Sequence, residues 1–196
     1  MSRLVILGKG PTWDQCKFDC EVWGINDCYL HSPTPIRIDL VQQIKDISHV
    51  PEYGDVEELR KAKELLGFEL VTATPIDYKD LHEDRLYPIR EIVDHFQSKF
   101  FSNSFTWLMA LAIYEKFDKA DNDKLEQIEL YGCDLRGDHE YLRELASMDF
   151  WCGVAMGRGI RIKVPQLSAV LKYPNGVIYG SWGNLQDEIE AREFHG

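Results

Sequence analysis

What the 196-residue sequence lacks first is a long apolar run. No stretch approaches the roughly 18 consecutive apolar positions of a membrane span, and the start carries no basic segment followed by an apolar signal region and a cleavage site. These features predict a soluble, cytoplasmic protein with no membrane partner. Positive charge is scarce as well: 22 Lys and Arg stand against 33 Asp and Glu, for a net charge of -11. Gripping DNA or RNA requires concentrated Lys and Arg to neutralise phosphates, so nucleic acid is excluded as a partner. A single small anion is not, because helix ends and backbone amides supply local positive potential. The five cysteines (Cys16, Cys20, Cys28, Cys133, Cys152) are odd in number and unevenly spaced, which excludes a disulfide framework. With His31, the first three read C-x3-C-x7-C-x2-H, a pattern that wraps around an expected buried strand rather than a zinc knuckle, so free thiols are the better reading. Repeats, low-complexity tracts and Ser/Gly linkers are absent.

What is present is enough apolar residue, 44%, for one well-buried core. Short β-type runs at 4–7, 21–25, 36–40, 68–72, 128–131 and 160–164 alternate with segments of helical spacing at 56–66, 104–117 and 141–156. Such alternation marks a single-domain α/β fold, a Rossmann-like three-layer sandwich. Several strands are continuous apolar runs, as expected for a mostly parallel central sheet covered on both faces. The 56–66 helix has one apolar stripe, whereas 104–117 is apolar around most of its circumference and should be buried. Residues 73–90, with two prolines and many charges, read as a long loop beside the site or a lid. The domain spans 1–172. Residues 173–196 form an extension in which Tyr179 and Trp182 cover the core or a subunit contact, the latter making a homo-oligomer.

Three stretches could carry chemistry. After the first strand comes Gly8-Lys9-Gly10-Pro11-Thr12. Two glycines allow a sharp turn and a close ligand approach, and Thr12 is a plausible N-cap with N–H groups facing a phosphate. The third glycine of the dinucleotide fingerprint is missing, and no Gly-Lys-Ser/Thr is present, so a plain strand-to-helix turn is an equal reading of this motif alone. Second, Ser102, Asn103 and Ser104 precede the apolar helix, either as caps or as donors at its positive end. Third, the strand in "IELYGCDLRGDHEY" ends at Gly132 and presents Asp134, with Asp138, His139 and Glu140 beyond it. Ligands in parallel sheets sit outside strand carboxyl ends, where such groups bind a metal, a ribose or a reacting hydroxyl. Asp138 and Glu140 are better read as helix-start residues, and Asp134 as the functional one. Cys133 is discounted as a nucleophile because alternation turns it away from Asp134. Arg37 and Asp39, placed near the end of the third strand, are better read as a surface ion pair.

Taken together and in order, G-x-G-P-[ST], "VWGIN", "SFTWLMALAI" and "IELYGCDL" resemble the Rossmann-like small bacterial sialyltransferases and the MptE-like 6-hydroxymethylpterin diphosphokinases. Short tailed-phage proteins share the pattern, ending in a segment similar to "GVAMGRGIRIKVPQLSAVL". The resemblance covers residues 3 to about 172. It implies a nucleotide or nucleotide-activated small molecule as partner, and transfer of a glycosyl or diphosphate group as activity, in the cytoplasm of a host cell. By resemblance, Gly8, Lys9, Gly10, Pro11, Thr12, Ser102, Asn103 and Ser104 hold phosphates and Asn26 the sugar or base. Asp134 takes a metal or an acceptor hydroxyl, and His139 is the acid/base. The diphosphokinase branch implies magnesium (Mg), held by Asp134 with Asp138. The alternatives are a non-catalytic phage protein that sequesters a nucleotide, and a structural phage component with no nucleotide affinity.

Overall fold

The computed structural model describes residues 2–30, 37–43, 56–76, 81–135 and 139–172, without the side chains of 139–142. His31, Asp138 and the whole 173–196 extension lie outside the described residues. Seven strands form one all-parallel sheet: β1 (Ser2–Leu7), β2 (Glu21–Ile25), β3 (Leu40–Gln43), β4 (Glu69–Thr72), β5 (Arg85–Leu86), β6 (Leu125–Tyr131) and β7 (Arg161–Lys163). Their spatial order is β5-β4-β3-β2-β1-β6-β7. From β1 the chain steps outward through β2 to β5, then returns to lay β6 on the other side of β1. The β1/β6 border is thus the topological switch point. At such a border neighbouring connections leave in opposite directions and open a crevice beyond the strand ends.

The central strands β1 and β2 are largely apolar because both their faces are covered. On one face α3 (Ser104–Ile113) and α4 (His139–Met156) pack against Leu4, Ile6, Trp23, Leu40, Val71 and Ile128, with α2 (Ile89–Phe96) beside them. Phe105, Thr106 and all six residues from Leu108 to Ile113 are buried, which explains why α3 is apolar all round. On the other face α1 (Val56–Leu66) lays Leu59 onto Val41, Phe68 and Leu70. Over β1 and β2 that face is covered by a short 3-10 turn (Pro11–Gln15) and the chain after it, with Cys16 against Val5, Leu7 and Val22. No helix among the described residues is long and apolar enough to cross a membrane.

Differences from the sequence reading have local causes. The third strand begins at Leu40, not at residue 36. Ile38 and Leu40 enter different cores on opposite faces, so their i, i+2 alternation is not that of one continuous strand. Arg37 and Asp39 therefore precede β3, at the amino edge, away from the crevice. They pair at 3.0 Å, and Asp39 also accepts the Val22 N–H at 2.8 Å. The 73–90 stretch holds β5, whose Arg85 is bonded to Glu69 and Glu115, so part of that loop is the sheet's edge. The buried helix changes at Tyr114 into a π-turn (Tyr114–Asp118). There Asp118 takes His95 at 2.7 Å and Arg158 at 2.9 Å, joining the ends of α2 and α4.

Candidate functional site

At the carboxyl ends of β1 and β6, the two chain exits are bonded to each other. Gly8 N–H donates to the Tyr131 carbonyl at 2.8 Å, and Gly10 N–H to the Gly132 carbonyl at 2.9 Å. The Thr12 N–H and hydroxyl donate to the two carboxylate oxygens of Asp134 at 3.0 and 2.7 Å, and Gly132 N–H donates to the Thr12 hydroxyl at 2.9 Å. The contact is too tight for side chains. A Cβ on Gly8 would meet the Gly132 carbonyl oxygen at 2.4 Å and the Phe105 ring at the same distance; one on Gly10 would meet Asp134 Oδ2 at 2.5 Å. Gly132 itself turns at φ +66°, a conformation glycine adopts without cost.

This arrangement decides what the glycine loop can offer a ligand. Three of its N–H groups are occupied, and proline has none. Lys9 supplies the loop's one N–H without a partner among the described residues. Asp134 is 7% exposed and Thr12 fully buried, so the pair forms an internal clasp. Lys9 reaches over the crevice and pairs with Asp27 at 2.7 Å; both side chains remain nearly half exposed.

The crevice encloses a cavity of about 370 Å3. Lys9, Gly10 and Pro11 form one wall, and Gly132, Asp134 and Leu135 a second. Ile25 from β2, Phe105 from α3, Glu144 from α4 and Leu167 from beyond β7 complete the lining. Leu135 sits at φ +45°, a strained conformation for a bulky side chain. It is held there by flanking bonds: Ser168 Oγ donates to the Cys133 carbonyl at 3.3 Å and Ala169 N–H to the Asp134 carbonyl at 2.9 Å. At the start of α3, the Asn103 side chain accepts the Thr106 N–H at 3.0 Å and donates to Glu144 at 3.4 Å. The Ser104 and Phe105 N–H groups have no partner among the described residues.

The residues expected at a site thus separate into three groups. Lys9, Gly10, Pro11 and Asp134 line the cavity, and Gly8 backs its wall. Thr12 is not the N-cap expected from the sequence: it lies inside the 3-10 turn, whose cap position is Gly10, and its hydroxyl holds the loop to Asp134 instead. Asn103 caps α3 beside the cavity, and Asn26 follows Ile25 in a left-handed turn at φ +48°. Ser102 turns to α4, where its hydroxyl is bonded to Ser147, and Ser104 opens α3 without lining the cavity. His139 begins α4, with its side chain outside the description. Cys133 is buried, its thiol pushed well above the ordinary range by desolvation, which leaves it un-ionised. Cys28 belongs to a different core from Cys16 and Cys20. Among the described residues, no three His, Cys, Asp or Glu side chains are grouped to hold a metal.

Phe105, Leu135, Glu144 and Leu167 were not expected at a site. They are ordinary helix and loop residues in the sequence, and only the folded chain brings them to one opening. No family model matches the chain, and comparison with curated proteins and with solved structures finds no match either.

Proposed function

We propose that this chain binds a nucleotide, or a small molecule activated by one, in the cavity at the β1/β6 switch point. The observation that carries the proposal is the position of that cavity, beyond the carboxyl ends of a parallel sheet, where open α/β sheets take their ligands. Its volume of about 370 Å3 suits a mononucleotide, since small-molecule sites span roughly 300–1,000 Å3. Ile25, Phe105 and Leu135 offer apolar contact to a base or sugar. Lys9 is the cation for a phosphate, which would take the place of Asp27. The unpartnered N–H groups of Lys9, Ser104 and Phe105 are further donors.

The resemblance to the small sialyltransferases and the MptE-like diphosphokinases supports a transfer of a glycosyl or diphosphate group. A second reading, a binder that sequesters its nucleotide without turnover, is favoured by the state of Asp134. Both of its oxygens accept from Thr12, which makes it a positioning residue for the loop rather than a group poised on a substrate. The same bonds disfavour Asp134 as a magnesium ligand.

A thermal-shift series with CMP, CTP, ATP, CMP-sialic acid, UDP-sugars and cyclic nucleotides, with and without magnesium, tests the proposal. Stabilisation by one nucleotide class, lost in Lys9→Met, is the expected result. Hydrolysis or transfer of that same compound would select the transferase, and tight binding without turnover the sequestering protein. If no compound raises Tm, nucleotide binding is wrong and a structural role is left.

A further inference from the structure

We propose, resting on the nucleotide-binding reading above, that Gln42 recognises the base of the bound nucleotide. Gln42 is 1% exposed. Its side-chain oxygen is the one buried side-chain polar atom among the described residues without a hydrogen-bond partner. A carbonyl oxygen withdrawn from water with nothing donated to it is a standing destabilisation, and folded chains leave few of them. Such a group has a reason to persist where something outside the chain completes it.

Its place in the fold says what that is. Leu40 and Gln42 are two residues apart on β3, so both side chains stand on the same face, and Leu40 packs in the core beneath α3. In the parallel register Gln42 lies directly beside Ile25, and Ile25 lines the cavity. Gln42 also stands at the carboxyl end of its strand, and the Asn26 N–H donates to its backbone carbonyl at 3.0 Å, tying the exits of β2 and β3 together. A mononucleotide with its phosphate at Lys9 and its sugar across Ile25 extends in the direction of β3. There its base meets a carboxamide, whose adjacent acceptor and donor match the N–H and ring-nitrogen or carbonyl edge of a base. Gln42 does not itself line the unliganded cavity, so its carboxamide meets the base only as the side chain turns toward Ile25, and rotation about its terminal torsion is soft.

The test measures Kd for the mononucleotide that gives the largest thermal shift and for ribose 5-phosphate, in the wild type and in Gln42→Met. Methionine keeps the length and volume and removes both polar atoms. The wild type should bind the nucleotide at least about tenfold more tightly than ribose 5-phosphate, the gain expected of a paired base edge. Gln42→Met should bind the two alike, with ribose 5-phosphate affinity unchanged and an unliganded Tm equal to or above that of the wild type. If Gln42→Met keeps the tenfold preference, Gln42 does not read the base although the cavity still binds nucleotides. If unliganded Gln42→Met unfolds or melts several degrees lower, the carboxamide is satisfied internally and its role is structural. If the wild type binds neither compound, the nucleotide reading fails and this inference with it.

Discussion

Two segments meet at the carboxyl edge of the sheet: residues 8–12 behind β1 and residues 103–106 at the start of α3. Both look like anion sites in the sequence, one through its glycines and threonine, the other through its serines and asparagine. In the folded chain their donors are used differently. The first commits the N–H groups of Gly8, Gly10 and Thr12 to the exit of β6. The second caps one N–H, that of Thr106, and leaves those of Ser104 and Phe105 without a partner among the described residues. A glycine-rich loop is therefore not a cradle by composition; what counts is which N–H groups the fold leaves over. Here the glycines serve the close approach of two chain exits, and the groups that line the cavity beside them are Lys9 and, from the first turn of α3, Phe105.

The comparison breaks most severely at Gly8. Gly8→Ala places a methyl group against a backbone oxygen and the Phe105 ring, neither of which is free to withdraw. A loss of about 3 kcal/mol, the upper range for overpacking, is expected in urea unfolding. A loss below about 1 kcal/mol would mean that the two exits are not in the contact described. Next comes the clasp. Asp134→Ala leaves the buried Thr12 N–H and hydroxyl without acceptors and should cost about 2 kcal/mol. Thr12→Val removes the hydroxyl from the same network, so the double variant should lose less than the sum of the singles. Full additivity would show that Asp134 and Thr12 do not act as one unit. The α3 cap is a smaller matter for stability: Asn103→Ala should cost about 1 kcal/mol. Its effect on nucleotide affinity should exceed that of Thr12→Val, because it loosens the turn whose N–H groups are available.

These contrasts also mark what could be read from the sequence. The β1 and β2 strands, α1 and the start of α3 follow from apolar runs and period, since burial on both faces or along one stripe writes itself into residue type. At 36–40 the alternating Ile36, Ile38 and Leu40 imitate a half-buried strand, whereas Ile38 and Leu40 serve cores on opposite faces and the strand begins at Leu40. Neither β5, two residues long and tied by Arg85 ion pairs, nor α2 stood out from its charged surroundings. At the site, Lys9, Gly10, Pro11 and Asp134 were legible as local motifs. The bond from Thr12 to Asp134 spans 122 positions, and local pattern holds no information on such pairs. The same is true of Phe105 and Glu144, which reach the cavity from α3 and α4.

The contrast is sharpened, at least expense to stability, by the ion pair of Lys9 and Asp27. Both side chains are nearly half exposed, and an exposed pair contributes little, so Asp27→Asn should move the unfolding free energy by no more than about 0.5 kcal/mol. Its effect on binding should be larger. On the proposed reading an incoming phosphate would have to displace the Asp27 carboxylate from Lys9, whereas in Asp27→Asn the ammonium would be free and one negative charge near the phosphate gone. Nucleotide affinity should rise severalfold in low salt, with the advantage shrinking as ionic strength increases and screening weakens both terms. Lys9→Met should weaken binding whether or not Asp27 is present. If Asp27→Asn leaves affinity unchanged at low salt, the phosphate does not lie at Lys9. The first turn of α3 would then be the anion-binding part of the crevice, and the glycine loop would serve only to join β1 to β6.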